Sequence, residues 1–341
     1  MDKIAIVILN WNGQHFLERF LPSVLSHSQE ATVYVADNGS TDNSIDFIKG
    51  KYPQVKIIEL PENNGFCQGY NKALLQVQAE YYVILNSDIE VSANWLSAPI
   101  TLLDNDINIA ACQPKIKSYN NKELFEHAGA AGGFIDFLGF PFCRGRIFLD
   151  VEKDHTQYDD NIDIFWATGA ALIIRAQAFK SAGGFDPDFF AHMEEIDLCW
   201  RLKNQGYRIA YCGKSEVYHV GGGTLPPSNP KKTFLNFRNG LALLLKNLPL
   251  RLLFPLIFIR MLLDAAAALQ FLLKGFPKDA FAIFLAHMSF YRYSLTWYRR
   301  RNIIPKALPS QMIKQSIVWR YFVLKQKTFD EVTEKKRNSN L

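Results

Sequence analysis

Short, mostly apolar runs alternate with longer stretches in which apolar residues recur every three or four positions. Residues 4–9, 32–36, 55–60 and 81–85 are dominated by Ile, Val, Leu, Ala and Tyr and have the length of buried strands. Between the first two, Phe16, Leu17, Phe20, Leu21, Val24 and Leu25 repeat at helical spacing. Ile45 and Ile48 mark a second helix that Ser40 or Thr41 is placed to cap, and a third runs to about residue 78. Strand and helix in alternation, joined by short loops, predict an α/β chain with a mostly parallel, doubly wound sheet. Ligands of such sheets sit beyond the carboxyl ends of the strands. Here those ends carry Asn10, Asp37, Asn63 and Asn86 with Asp88, so the polar loops share one sheet edge.

Residues 105–165 have weaker periodicity. Gly129–Gly133 and Asp150–Asp160 read as mobile loops, with a lid over the sheet edge as their expected role. Phe165–Arg175 passes from a small-residue turn into a strand, and Glu194-Glu195-Ile196-Asp197 opens a helix. After Pro226-Pro227 the character changes: residues 241–245, 252–259 and 265–273 are apolar, interrupted by Arg251, Arg260, Asp264 and Lys274. The longest wholly apolar run is eight residues, short of the roughly 20 that a spanning helix needs. On a helical wheel Arg260, Asp264 and Lys274 fall within about 80° of one another, which predicts helices lying in a membrane interface. Phe290, Tyr291, Tyr293, Trp297 and Tyr298, followed by Arg299-Arg300-Arg301, fit an aromatic belt beside anionic head groups. The alternative for this region is a helical homodimer interface. The division expected is 1–225, 226–325 and a polar, disordered tail at 326–341.

Charge sharpens that division. Residues 229–341 hold 20 Lys and Arg against 5 Asp and Glu, a charge of +15, which leaves −10 for residues 1–228 within a total of +5. A basic segment of this kind suits an anionic membrane surface, and no nucleic-acid partner is expected. The five Cys are scattered with no Cys-x-x-Cys, which argues for reduced thiols in the cytoplasm and against zinc. The apolar run after Met1 is too short for the core of a signal peptide, so export is not expected.

Two acidic groups carry candidate chemistry. Asp88, just past a central strand, is placed to hold a divalent cation and through it a diphosphate. Glu194, Glu195 and Asp197 at a helix start can supply a general base. Each has a plain structural alternative. Acids in a first helical turn stabilise it by roughly 0.3–1 kcal/mol each, Asp37 before Asn38-Gly39 suits an Asx-turn, and a lone His219 is more often a packing residue.

The motifs that bear on a choice are Val7–Gly13, Val35–Asp42, Asn63-Asn64-Gly65-Phe66 with Asn71, Leu85-Asn86-Ser87-Asp88, Thr168-Gly169-Ala170, Gly184-Phe185-Asp186, Glu194–Leu198 and His219-Val220-Gly221-Gly222. In this order, over about residues 3–225, they resemble the family 2 glycosyltransferases of bacterial cell-surface polysaccharide synthesis, most nearly the rhamnosyltransferase-like branch. The resemblance implies a GT-A fold of Rossmann-like type, followed here by a membrane-associated helical region. It implies a nucleoside-diphosphate sugar donor (UDP- or dTDP-linked, dTDP-rhamnose included) and a lipid-linked glycan acceptor. Asn10, Asp37, Asn63, Gly65, Asn71, Asn86 and Ser87 would bind the nucleotide, Asp37 accepting from the base N3–H. Asp88 and His219 would hold Mg²⁺ or Mn²⁺, Glu195 would be the catalytic base with Glu194 and Asp197 next in line, and Thr168, Gly169 and Ala170 with Glu194 would shape the sugar and acceptor pocket. The reaction implied is a single displacement with inversion, run on the cytoplasmic face of the plasma membrane by a peripheral enzyme. The chain departs from the family's Asp-x-Asp signature at Asn86, which weakens the case for a metal, and from its commoner Asp at Glu195.

Other readings fare worse. A nucleotidyltransferase wants a basic Gly-rich loop after the first strand, and Asn10–Gln14 has no basic residue. No Gly-x-Gly-x-x-Gly follows that strand to bind a dinucleotide. A catalytically weak sugar-nucleotide-binding or scaffold subunit stays open, and Asn86 is the feature that favours it.

Overall fold

The computed structural model describes residues 1–221, 229–301 and 308–334. Its first half alternates as the periodicity predicts: β1 (Asp2–Asn10), α1 (Gln14–His27), β2 (Thr32–Asn38), α2 (Ser44–Lys51), β3 (Lys56–Leu60), α3 (Gly65–Leu74) and β4 (Ala79–Asn86). Then come β5 (Ile89–Val91), α4 (Ser97–Asn105) and β6 (Ile109–Ser118). Four short strands follow, β7 (Gly133–Asp136), β8 (Pro141–Cys143), β9 (Arg146–Ile147) and β10 (Asp150–Val151). The chain continues through β11 (Asn161–Ile164), β12 (Ala171–Arg175), α5 (Ala176–Ser181), α6 (Glu194–Asn204) and β13 (Arg208–His219). Three long helices, α7 (Pro230–Asn247), α8 (Leu250–Leu273) and α9 (Pro277–Arg299), precede β14 (Met312–Ile313) and α10 (Phe329–Thr333).

The main sheet runs β3-β2-β1-β4-β12-β6-β13-β11, with β5 on β13. β1 lies at its middle because Ile4–Ile8 are buried on both faces, as a parallel strand covered by helices requires. The β3-β2-β1-β4 half is parallel, and its register sets Asn10 beside Asp37 and Leu9 beside Asn86. The other half is mixed. β12 runs antiparallel between β4 and β6, which returns the turn before it to the end of β4. β13 runs parallel to β6 and pairs His219 with Ile89 of β5, one residue from Asp88.

Four local expectations are corrected. Ser40 and Thr41 do not cap α2, because the Ser40 hydroxyl accepts from the Asn10 amide and the Asn12 N–H and the Thr41 hydroxyl donates to Asn12 Oδ1; Asp42 accepts from the Ser44 N–H instead. The 129–133 segment is not a mobile loop: Ala130 and Ala131 are fully buried. Gly132 has φ +106°, and a Cβ there would lie 2.6 Å from the Ile164 side chain, so small residues here serve close packing. The 150–160 segment is tied down by buried Asp154, 3.1 Å from Lys115 and 3.2 Å from Lys117. The expected disordered tail starts later than 326, since a capping box of Thr328 and Glu331 starts α10, which buries Phe329 and Val332. Residues 335–341 lie outside the described residues.

The C-terminal helices share the core of the catalytic strands. Leu241–Leu245 of α7, Leu256 of α8, and Phe290 and Trp297 of α9 join one cluster with Phe185, Trp200 and Tyr82. Among the described residues, the elements on either side of the division expected at 225 therefore share one core. The charged stripe of α8 also faces the opposite way from that expected. Arg260 and Asp264 point into the protein, paired at 2.8 Å, and the Arg260 guanidinium lies 3.8 Å over the Phe140 ring and donates to Leu138 and Gly139 carbonyls. Phe254, Phe258, Leu262, Leu269 and Leu273 face outward. Periodicity finds such a stripe but not which side is wet. By length and composition the 24-residue α8 is long and apolar enough to cross a membrane, a property that the count of uninterrupted apolar residues missed. The aromatic and basic belt is likewise split: Phe290 and Trp297 are buried, Arg300 pairs with Asp186, and Arg301 donates to the Leu245 and Leu248 carbonyls.

Because α7 is part of the core, Leu244→Ala should cost about 2–5 kcal/mol and lower one cooperative transition followed by tryptophan fluorescence in urea. Two separate transitions would mean that the helices fold as an independent unit.

Candidate active site

Strand ends build the first wall. Asn10 and Asp37, neighbours in register and almost fully buried, are joined by the Asn10 amide, 3.2 Å from Asp37 Oδ1. Asp37 Oδ2 accepts from the Ser40 N–H at 2.9 Å, so the carboxylate is fixed by the turn after β2. Asn38 extends this wall, donating to Asn63 Oδ1 and the Gly65 carbonyl and accepting from the Asn64 N–H. Asn63 Oδ1 also accepts from the Gly65 N–H, and Gly65 takes φ +71° where a Cβ would strike the Phe190 ring at 2.7 Å. Asn71 is a correction. Both ends of its amide close on the Phe185 backbone, at 2.7 and 3.0 Å, so it locks α3 to the 184–186 turn rather than lining a nucleotide pocket.

A second group forms where β4, β5 and β13 meet. His219 Nε2 lies 3.2 Å from Asp88 Oδ1 and 3.4 Å from the Asn86 amide, while Nδ1 lies 3.0 Å from Glu126 Oε2. Burial opposes a charge on His219, but hydrogen bonds to Asp88 and Glu126 outweigh it and raise the imidazole to about 10. Among the described residues no three His, Cys, Asp or Glu side chains gather in an arrangement that could hold a metal. The donor set nevertheless fits an open Mg²⁺ or Mn²⁺ site with two protein ligands, Asp88 Oδ1 and His219 Nε2, whose shell is completed by phosphate and water. Glu126 on the far ring nitrogen is what such a histidine needs to keep Nε2 directed at a metal. Ser87 is half-buried between these groups.

The third wall is the turn before β12. The Ala170 carbonyl accepts from the Asn86 N–H at 2.9 Å, and Thr168, buried, accepts from the Ala170 N–H through Oγ1. Buried Gln113 holds the turn from below by accepting from the Thr168 N–H. A Cβ on Gly169 would sit a tight 3.2 Å from the Phe66 ring and in ordinary contact, 3.7 Å, with the Glu195 Cβ, so this turn lies directly against the first turn of α6. Glu194 is buried and Glu195 half-buried, and Oε2 of each is a buried oxygen with no partner. Burial lifts both carboxyls: Glu194 rises well above its ordinary range, and Glu195 reaches about 7. Asp197 differs. Burial works against its charge, yet Lys246 and Arg201, each 2.8 Å away, together with Asn247, hold it down at about 2. It is fully buried and its oxygens are taken, so it is a structural anchor and not a catalytic group.

The sequence reading missed Asn38, Gln113, Glu126 and Lys246. Glu126 and Gln113 fall in the stretch of weak periodicity, where no spacing marks them. Lys246-Asn247, a polar pair directly after the apolar run 241–245, is itself a signal of a buried partner. Gly222 of the last motif lies outside the described residues.

A sheet edge of this topology, with carboxylates and amides at its strand ends, defines a GT-A nucleoside-diphospho-sugar transferase. Residues 5–181, just over half of the chain, match the family described as Glycosyl transferase family 2, and the chain belongs to it. Over 235 residues it is 25% identical to an N-acetylglucosaminyl-diphospho-decaprenol L-rhamnosyltransferase of Mycobacterium tuberculosis, covering 64% of this chain and 76% of that relative. It is 20% identical to the rhamnosyltransferase WbbL of Escherichia coli, over 63% of this chain and 83% of the relative. Such relatives place it in the rhamnosyltransferase-like branch. The solved structure of GalNAc-T7 with UDP, GalNAc and Mn²⁺ shares the fold at a TM-score of 0.56 and 17% identity, over 71% of this chain and 47% of that one.

The raised carboxyl of Glu195 has a stability consequence. Its folded state favours the protonated form, so its contribution is most favourable below the ordinary pKa of 4.5 and is lost as pH rises toward 7. Glu195→Gln should therefore be more stable than wild type at pH 8 by about 1–3 kcal/mol and equal to it at pH 4, measured by urea unfolding. Equal stability at both values would mean that the carboxyl is solvated.

Proposed function

We propose that this glycosyltransferase moves a sugar from a UDP- or dTDP-linked donor to a hydroxyl of a lipid-linked glycan, with inversion at the anomeric carbon. The observation that carries the reading is the gathering of buried, unpartnered oxygens at one sheet edge: Asn10 Oδ1, Glu194 Oε2 and Glu195 Oε2. Unsatisfied buried oxygens cost about 1–3 kcal/mol each, so their concentration here argues for an absent ligand and against a degenerate scaffold. Asn10, Asp37, Asn63 and Gly65 hold the nucleoside, Asp37 through the base N3–H. Asn86 and Ser87 face the phosphates. Asp88 and His219 would hold Mg²⁺ or Mn²⁺, which when bound neutralises the departing diphosphate. Glu195, whose burial lifts its carboxyl to about 7, takes the proton of the acceptor hydroxyl as it attacks. The turn Thr168–Ala170 orients sugar and acceptor beside it. The names of the relatives favour dTDP-rhamnose as the first donor to test and a polyprenyl-diphosphate glycan as the first acceptor.

Release of nucleoside diphosphate from a panel of sugar nucleotides, with and without EDTA, tests the reading. Glu195→Gln should lower kcat by about 10²–10⁴ while dTDP or UDP affinity stays within a few-fold. A mutant with wild-type kcat would move the base elsewhere. Activity indifferent to EDTA would remove the metal and leave Asp88 as a direct sugar contact.

The outward apolar face of α8 and α9 supports attachment to the cytoplasmic face of the plasma membrane, with Lys274 and Lys278 at the exposed α8–α9 turn meeting anionic lipid. Burial of apolar side chains then dominates over charge. The full-length protein should stay on membranes through high salt and alkaline carbonate and leave with detergent. Release by salt alone would restore a purely electrostatic attachment, and a soluble dimer would make this face a subunit interface.

A further inference from the structure

The segment between the 184–186 turn and α6 has an unusual backbone. Phe190, His192 and Met193 all take positive φ, at 63°, 69° and 69°, and none is glycine. Such conformations cost about 1–3 kcal/mol each and persist only where surroundings over-determine them. Here the surroundings are mostly α7. The Arg238 guanidinium donates to the carbonyls of Asp188 (2.8 Å) and Phe189 (3.2 Å). The amide of Asn239, fully buried, lies 3.0, 3.0 and 2.7 Å from the carbonyls of Phe189, Ala191 and His192. The remaining carbonyl, of Phe190, accepts from the Phe66 and Cys67 N–H groups at the start of α3. Every carbonyl from 188 to 192 is thus engaged, four of the five by two adjacent residues of α7. Two turns further along α7, Lys246 bridges Asp186 (2.6 Å) and Asp197 (2.8 Å), the residues that bracket the same segment.

We propose that Arg238, Asn239 and Lys246 are positioning residues for glycosyl transfer: they hold residues 188–193 in a strained form that sets the first turn of α6, and with it Glu195, against Gly169. The proposal rests on the assignment of Glu195 as base. Its structural logic is that Glu195 Oε2 has no hydrogen-bond partner and the carboxyl's hydrogen bonds are to the backbone N–H groups of Glu195 and Ile196, so its place follows the backbone at the start of α6. A displacement of about 1 Å at a reacting group can cost 10²-fold in rate.

The test uses full-length Asn239→Ala and Lys246→Met in detergent. In the second variant Asp186 keeps Arg300 and Asp197 keeps Arg201, so it carries the test should the first fail to fold. Hydrogen–deuterium exchange of amides 188–195 should rise by about tenfold or more, with exchange in β1 and β2 unchanged. Turnover should fall at least about tenfold at a donor KM and dTDP or UDP affinity within about twofold. Ser28→Ala, which breaks the distant bond from Trp95 Nε1, serves as a destabilised control, and all are compared at the same interval below their own melting temperatures. Unchanged exchange at 188–195 overturns the proposal, as does raised exchange with unchanged kcat, or an equal kcat loss in Ser28→Ala. Wild type inactive on every donor would instead overturn the transfer reading, and the exchange measurement would still decide whether α7 holds the segment.

Discussion

A buried carboxylate is stable only when something compensates its charge, and this fold gathers seven acidic side chains around one sheet edge. Asp37 has the Ser40 N–H and the Asn10 amide, and Asp88 and Glu126 share His219. Asp186 has Lys246 and Arg300, and Asp197 has Lys246, Arg201 and Asn247. Glu194 and Glu195 alone among these end in a buried oxygen without a partner. The compensation of five sets the place of the two. Lys246 can neutralise Asp186 and Asp197 only if α7 lies across the start of α6, and that placement brings α7 into the same core as the strands. Stability is given up at Glu194 and Glu195, whose buried carboxyls are lifted toward the protonated form.

Topology supplies the rest of the site at little cost. Parallel register places Asn10 beside Asp37, and the same β1 places Leu9 beside Asn86. Reversing β12 then delivers a turn, not a helix, to the end of β4, and Gly169 of that turn lies against Glu195 at the start of α6. β5, three residues long, exists to pair with the end of β13, and by that pairing His219 reaches Asp88. Each short element is explained by the side chain that it brings to the edge.

Much of this was legible in the sequence, and the limits have physical causes. The strands and first helices follow from periodicity because each has one buried face or two, and the polar strand ends follow from the sheet's handedness. Asp88 and His219 lie 3.2 Å apart at the sheet edge, and Glu194 and Glu195 open α6 beside Gly169. Asn71 and Asp197 kept the residue types of a site but were diverted to structure, Asn71 by the Phe185 backbone and Asp197 by Lys246 of α7 together with Arg201 of its own helix. Phe185 and Lys246 lie 114 and 49 residues from the side chains that they engage, beyond any local pattern. Residues 105–165 resisted because their glycines serve close packing, and a glycine needed for contact looks the same in sequence as one needed for a flexible turn.

The inversion of α8 follows from the same rule about buried charge. A helix apolar nearly all round has no preferred rotation from hydrophobicity alone, so its few polar residues decide. Arg260 and Asp264 pair with each other, with His287 of α9 and with the carbonyls of Leu138 and Gly139, and all of these lie on the protein side. Satisfying that group forces Phe254, Leu262, Leu269 and Leu273 outward. It also presses Arg260 against α7 at Gly240, where an added Cβ would come within 2.9 Å of its guanidinium, next to Asn239. The contact that turns the apolar face of α8 outward is therefore adjacent to the one that holds the segment before Glu195. The helix with the outward apolar face and the helix that holds the segment before Glu195 are consecutive in one packed unit. Neither can shift without the other unless Arg260 or Asn239 gives up buried hydrogen bonds.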